Sequence, residues 1–325
     1  MGPDGRPEVR MSGKLRVGFA AFGFYGYPKD VIAARGHAAA EAVRGLGVEV
    51  IEADPLTGFD DVPVGLAQFA GKELDAVIAC VVAWTETPVI VGLLRDYLHL
   101  PILLWGLGGY TVDGRLVSPA AQAGTSAVRD SLVSLGARFL YLYDYPDAPM
   151  RLDRVADFCA AARAIRTLAH ARMGMMGYAD MGLYSIMFDG LDLRARLGIE
   201  VESYDMLEIE QAMARLTADR VERTVGEWKR AWTFEQPVPD SMLDRVARLT
   251  LALGDKIDDR GYLAMSTKCV YGVTKYMGCT ACMAQSMLGD RTHFVCENDV
   301  PGMITQTMLG LLSGQSSTFM EIYEY

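Results

Sequence analysis

The first part of the chain alternates short continuous apolar runs with stretches whose apolar residues recur at helical spacing. Strands are expected at 15–21, 48–52, 74–82, 102–105 and 137–142, and helices at 29–46, 64–72, 88–98 and 120–135. Apolar runs of this length separated by helices are what parallel strands buried on both faces look like in sequence, so the pattern predicts a parallel sheet between two helical layers. Residues 143–149 contain Pro146 and Pro149 with acidic neighbours, and read as a boundary. Beyond it, helices at 151–171 and 190–197, a strand at 201–204 and a helix at 241–253 predict a second α/β unit. In the last of these helices Met242, Leu243, Val246, Leu249 and Leu253 share one face. A strand at 262–265, a helix at 302–312 and a strand at 317–323 close the chain. The expected organisation is therefore a disordered extension 1–14, α/β domains at 15–150 and 151–295, and the start of a further domain at 296–325.

Composition narrows the partners. With 51% apolar and 22% charged residues, 325 residues can bury two or three cores. The net charge of −10, with no basic stripe among aromatics, argues against a nucleic-acid partner. The longest apolar runs, such as 76–83, are far below the roughly 20 residues of a membrane helix. The polar first 14 residues hold no signal-peptide core. Six cysteines without a secretory signal are expected as reduced thiols in a cytoplasmic protein.

The candidate chemistry lies in loops. Gly18, Gly23 and Gly26 after the first strand, and Gly106, Gly108 and Gly109 after the fourth, do not compose GxGxxG, and no GxxxxGK[ST] occurs, which disfavours a nucleotide-dependent oxidoreductase. Trp84 and Glu86 occupy a loop at the carboxyl end of a strand, where α/β proteins place ligands; Trp84 there either lines a polar-ligand pocket or packs. Cys269, Cys279, Cys282 and Cys296 crowd into 28 residues and offer either a thiolate site for zinc or iron–sulfur, or four small apolar core residues. Glu297 and Asp299 flank Asn298 between an apolar strand and a helix opened by Pro301. Such paired carboxylates suit a hard divalent cation, or Asp299 or Asn298 simply caps the helix.

The segment Cys296-Glu-Asn-Asp-Val-Pro-Gly-Met-Ile-Thr-Gln, continuing to Tyr325, resembles the stretch in which L-fucose isomerases carry an END motif followed by a small-residue helix. Met181-Gly182 and Leu197-Gly-Ile-Glu-Val-Glu-Ser-Tyr-Asp-Met206, with Leu207 and Glu208, resemble that family's second domain. The resemblance to the L-fucose/L-arabinose isomerase family implies two Rossmann-like or flavodoxin-like domains and a third, β-rich one, most of which this chain lacks. It implies a ketol isomerase that moves a proton between C1 and C2 of a sugar through a cis-enediol, aided by Mn²⁺ or another divalent cation. It further implies Asp299 as catalytic and metal-ligating carboxylate, Met181 at the substrate, and a homo-oligomer, trimer or hexamer; Glu297 joins Asp299 as the paired carboxylate, catalytic and metal-ligating, and Trp84 joins the substrate residues from its strand-end loop. Two departures stand out: no Glu lies between Glu235 and Glu297, where the family has one near the position of Gly272 or Cys282, and none of His37, His99, His170 or His293 matches the family's C-terminal ligand. A divergent member that binds a sugar or polyol without isomerising it, using its cysteines instead, is the alternative expectation.

Overall fold

The computed structural model describes residues 13–320. Packing divides them into two units, one ending at Arg166 and the other beginning at Thr167.

In the first unit, strands β1 (Arg16–Phe22), β2 (Glu49–Glu52), β3 (Ala76–Val81), β4 (Ile102–Gly106) and, after the short hairpin β5 (Tyr110–Val112) and β6 (Arg115–Val117), β7 (Phe139–Tyr143) build a parallel sheet of order β2-β1-β3-β4-β7. Helices α1 (Lys29–Arg44) and α5 (Leu152–Ala169) belong to the core on one face; α2 (Val62–Phe69), α3 (Thr87–Leu94) and α4 (Ala121–Ser134) belong to the core on the other. The central strands are buried throughout because both faces are covered, which is why they read as uninterrupted apolar runs. The expected boundary at 150/151 falls before α5, yet Val155, Phe158, Cys159 and Ala162 of that helix pack into the first core and keep most of it in the first unit.

The second unit repeats the plan with four strands. β8 (Arg172–Met176), β9 (Glu200–Tyr204), β10 (Ala264–Thr267) and β11 (His293–Val295) are all parallel in the order β11-β10-β8-β9. Helices α7 (Met206–Arg215), α8 (Ala218–Ala231), α9 (Asp240–Arg260) and α10 (Cys282–Gly289) share the core on one face; α6 (Gly190–Leu197) and α11 (Val300–Ser313) share that on the other. Local sequence explains the joints. Asp189 caps α6 by accepting from the Leu191 and Asp192 N–H groups, and Gly198 ends it with φ +77°. A Cβ at Gly198 would also lie 2.6 Å from the Ala169 Cα, so only glycine fits. Asp205 and Glu208 form a reciprocal capping box on α7.

Two expectations change at the end of the chain. Val300, Met303 and Ile304 of α11 are part of the second unit's core, so this helix packs on the second sheet. The strand expected at 317–323 is absent from 317–320, where Ser317 is tied back to α11 by its Oγ on the Gln306 carbonyl and by Gln306 Nε2 on its own carbonyl; 321–323 lie outside the described residues. So do residues 1–12 of the expected extension.

Candidate functional site

In an open parallel sheet, the crevice for ligands opens beyond the carboxyl ends of the two strands where the order reverses. In the second unit those strands are β8 and β10, with β11 beside them. The loops that follow them carry most of the polar residues singled out from the sequence.

After β8 comes Gly177–Gly182. Its Asp180 is fully buried, which for a carboxylate demands partners. Oδ2 accepts from the Val270 N–H at 2.7 Å, and Oδ1 accepts from the N–H groups of Tyr271 and Met181, each at 2.9 Å. The carboxylate thereby fastens the β8 loop to the π-helical turn Cys269–Thr274 that follows β10. Lys268, at the start of that turn, donates from Nζ to the Ala179 carbonyl at 3.1 Å and has no carboxylate within ion-pair distance among the described residues. Met181 is half-buried with φ +49°.

After β11 the chain makes the Glu297–Asn298–Asp299 turn. Glu297 and Asn298 both adopt left-handed backbone, at φ +61° and +58°. Consecutive non-glycine residues hold that conformation only where the surroundings over-determine it. Here the determinant is Asn298: its buried Nδ2 donates to the carbonyls of Met176 and Tyr178 at 2.9 and 2.8 Å, binding this turn to the end of β8. Asp299 is the N-cap of α11, accepting from the Gly302 N–H at 2.9 Å. A Cβ on Gly302 would meet Asp299 Oδ2 at 2.4 Å, so the glycine makes the seat for the carboxylate. Both Glu297 and Asp299 are half-buried. The cap and the ligand readings of Asp299 thus share one geometry, since the second oxygen is not needed for the cap.

The four clustered cysteines separate. Cys269 and Cys296 pack in the same apolar cluster, and the Cys296 side chain and the Glu297 backbone act on the Cys269 thiol. Together they lower the Cys269 thiol below its ordinary value against the opposing effect of burial. Cys279 is buried beside Arg245 and Glu210, its thiol pushed up by desolvation, and Cys282 is exposed at the start of α10. No group of three His, Cys, Asp or Glu side chains that could hold a metal ion occurs among the described residues. The zinc or iron–sulfur arrangement considered from the cysteine spacing is therefore not assembled by them.

Trp84 lies in the other unit, in the loop after β3 at the first sheet's own reversal point. It packs edge-on against Phe24 with ring centroids 4.9 Å apart. A cavity of about 600 Å³ in the second unit lies at the opposite, amino edge of its sheet, lined by His170, Arg172, Arg194, Glu200, Glu202 and Arg260. Its arginines are engaged in ion pairs with Glu200 and Glu202. It is therefore not the crevice at the carboxyl ends.

Sequence reading missed Asp180, the bond from Lys268 to the β8 loop and the anchoring role of Asn298. Nothing local announces the first two; Asn298 looked like a cap because its partners lie some 120 residues earlier. Conversely, Gly198, Asp205 and Glu208, which helped to carry the family resemblance, end or begin helices and take no part in the site.

The chain is 22% identical over 271 residues to sulfoquinovose isomerase from Alkalicoccus urumqiensis, a match covering 82% of this chain and 59% of that protein. It is 28% identical over 138 residues to L-fucose isomerase from Vibrio vulnificus (strain YJ016), covering 42% of this chain and 23% of that protein. No protein-family model matches. The chain spans less than two thirds of the length of either curated relative. Together the two matches support a fucose isomerase-like family.

Proposed function

We propose that this protein is a sugar isomerase that interconverts an aldose and a ketose at the carboxyl edge of its second sheet. The observation that carries the reading is the Glu297–Asn298–Asp299 turn: left-handed backbone, pinned by Asn298 to the end of β8, with a carboxylate on either side of the pin. Moving a proton between C1 and C2 through a cis-enediol needs a base to take it and an acid to return it on neighbouring oxygens or carbons. Glu297 and Asp299 are the proposed pair, Asp299 held by its cap so that its second oxygen keeps a fixed direction. Negative charge develops on the substrate oxygens in the enediolate, and the proposed cation is the Lys268 ammonium, which has no carboxylate within ion-pair distance among the described residues. Tyr178 and Tyr271, exposed in the loops after β8 and β10, offer ring faces for a sugar's C–H groups, with Met181 between them in the sequence of the site.

Mn²⁺ or another divalent cation would, when bound, polarise the substrate's carbonyl and hydroxyl oxygens. Asp299 and Glu297 would be its ligands from this chain. The described residues do not supply a third His, Cys, Asp or Glu to that group, so they do not fit the ion by themselves and no step is assigned to it.

The test is incubation with a panel of aldoses that includes L-fucose and 6-sulfonated hexoses, in D₂O, with and without Mn²⁺. The reading expects a ketose bearing deuterium at C1, because an enediol exchanges its migrating proton with solvent. Absence of ketose from every aldose under both conditions contradicts it.

A further inference from the structure

We propose that Asp180 is a positioning residue for the isomerisation, holding the Lys268 ammonium in place through the two loops that it joins. This role rests on the isomerase reading above. A lysine carries its charge on a flexible four-carbon stem, so an ammonium that meets charge developing on substrate oxygens has to be fixed before the reaction starts. Lys268 is fixed along its whole length. Its backbone N–H donates to the Met176 carbonyl at 3.2 Å. Its stem lies against two glycines: a Cβ on Gly272 would meet the lysine Cβ and Cγ at 3.1 Å, and one on Gly177 would meet its Cβ and Cδ at 3.5 Å. Gly177 stands at φ +83°, so its backbone calls for glycine as well. The head donates from Nζ to the Ala179 carbonyl at 3.1 Å, which leaves two of an ammonium's three N–H bonds for a ligand.

This seat exists only while the loops after β8 and β10 keep their spacing, and Asp180 sets that spacing. It follows Ala179 directly, is fully buried, and accepts from the N–H groups of Val270 and Tyr271, just past Lys268. The loops therefore grip each other in both directions. The lysine of the β10 turn donates to a carbonyl of the β8 loop, and the aspartate of the β8 loop accepts from two amides of the β10 turn. Among the described residues no carboxylate, Asp180 included, lies within ion-pair distance of Nζ. Asp180 thus acts on the ammonium through geometry, its own charge being met by backbone N–H groups.

The test is a double-mutant cycle of Asp180→Asn and Lys268→Met on an aldose that the parent converts. Asparagine keeps the size of the carboxylate but sets an NH₂ group against a backbone N–H, which loosens the joint between the loops. Alone, Asp180→Asn should lower kcat about 10–100-fold and leave KM within about threefold. In the Lys268→Met background it should lower kcat less than about threefold, because the group that it positions is gone. General loosening of the fold lowers kcat alike in both backgrounds; equal losses, or no loss in either, overturn the proposal. A second readout needs no turnover: competitive acetylation of the folded protein, read by mass spectrometry, compares Lys268 with the exposed Lys275. The Lys268-to-Lys275 labelling ratio should rise about threefold or more in Asp180→Asn, as the lysine leaves its seat. An unchanged ratio in a folded variant overturns the proposal. If the parent converts no aldose, the isomerase reading fails separately, and this ratio decides whether Asp180 positions the lysine; it decides likewise if Lys268→Met is too slow to measure. Should Asp180→Asn not fold, hydrogen exchange of the parent decides. The Met181, Val270 and Tyr271 amides should exchange as slowly as those of β10, and the rates of an unprotected loop overturn the proposal.

Discussion

The two sheets share a strand order around their reversal points, and they furnish the carboxyl ends differently. At the first sheet's edge the loops after β1 and β3 bring together Phe24, Tyr25 and Trp84, packed ring against ring. One buried polar group there, the Thr85 hydroxyl, has no hydrogen-bond partner among the described residues. Ala120, in left-handed backbone, is the residue of that conformation nearest in sequence to the Pro119 carbonyl that accepts from the Trp84 N–H. At the second sheet's edge a buried carboxylate takes three backbone N–H groups, a buried amide takes two carbonyls, and Met181, Glu297 and Asn298 all hold positive φ. A common architecture therefore does not distribute chemistry evenly. Both edges bury a carboxylate, which is costly: Asp144 after β7 accepts from the Trp105 indole N–H at 2.9 Å, whereas Asp180 ties two loops together through backbone N–H groups beside two consecutive left-handed residues, Glu297 and Asn298.

The largest effect that this contrast predicts on stability is at Asp180. Asp180→Ala leaves three backbone N–H groups without their acceptor, and the second unit should lose roughly 3 kcal/mol. Urea unfolding checks it. Trp84 and Trp105 report on the first unit and Trp228 and Trp232 on the second, so the transition should shift in the second set of signals. A shift under about 0.5 kcal/mol would mean that the carboxylate does not hold the loops together. Next is Asn298→Ala, which removes both bonds to β8 and should cost about 2 kcal/mol. Asn298→Gly accommodates the positive φ and separates the backbone contribution from that of the amide.

Acid offers a milder way to separate the units. His293 in β11 is buried, its Nε2 lacks a partner, and desolvation lowers its pKa from the ordinary 6.5. The unfolded chain therefore binds this proton more readily, and stability contributed by the neutral ring falls as pH drops from 6.5 towards the lowered native value. The described histidines of the first unit, His37 and His99, are exposed. The second unit's melting temperature should decline over that window, and His293→Leu should flatten this part of the profile. An unchanged profile in the variant would assign the acid sensitivity elsewhere. The smallest effect is expected at the first edge. Thr85→Val deletes a buried hydroxyl that has no partner, so stability should be unchanged or rise by up to about 1 kcal/mol. Destabilisation beyond 1 kcal/mol would mean that this edge also holds a bound polar group.

The strands and helices of the first sheet were legible because full burial on both faces writes each strand as an apolar run, as at Ala76–Val81. The second unit was read less completely. Only α6, α9 and α11 and three strands, β9, β10 and β11, stood out there; β8 is methionine-rich and short, and α8 is so polar that its single buried edge, Val221 and Trp228, hides the helix. In the site, the acidic turn could be found because Glu297 and Asp299 lie two apart in sequence, on either side of Asn298. Asp180 could not, since its meaning comes from backbone groups some 90 residues away. The cysteine spacing misled in the other direction. Cys279 and Cys282, only three apart, serve different surroundings, and Cys269 and Cys296, which are distant in sequence, pack in one apolar cluster.

The central claim, that the carboxylates of the Glu297–Asn298–Asp299 turn move the proton, is tested most directly with Asp299→Asn. Asparagine caps a helix as well as aspartate does, so the substitution keeps the bond to the Gly302 N–H and removes only the charge and the basicity. On whichever aldose the panel identifies, the variant should melt within a degree or two of the parent while turnover falls about 10²–10⁴-fold and deuterium exchange at C1 falls with it. Retention of parental turnover and exchange by a variant that melts like the parent would contradict the account.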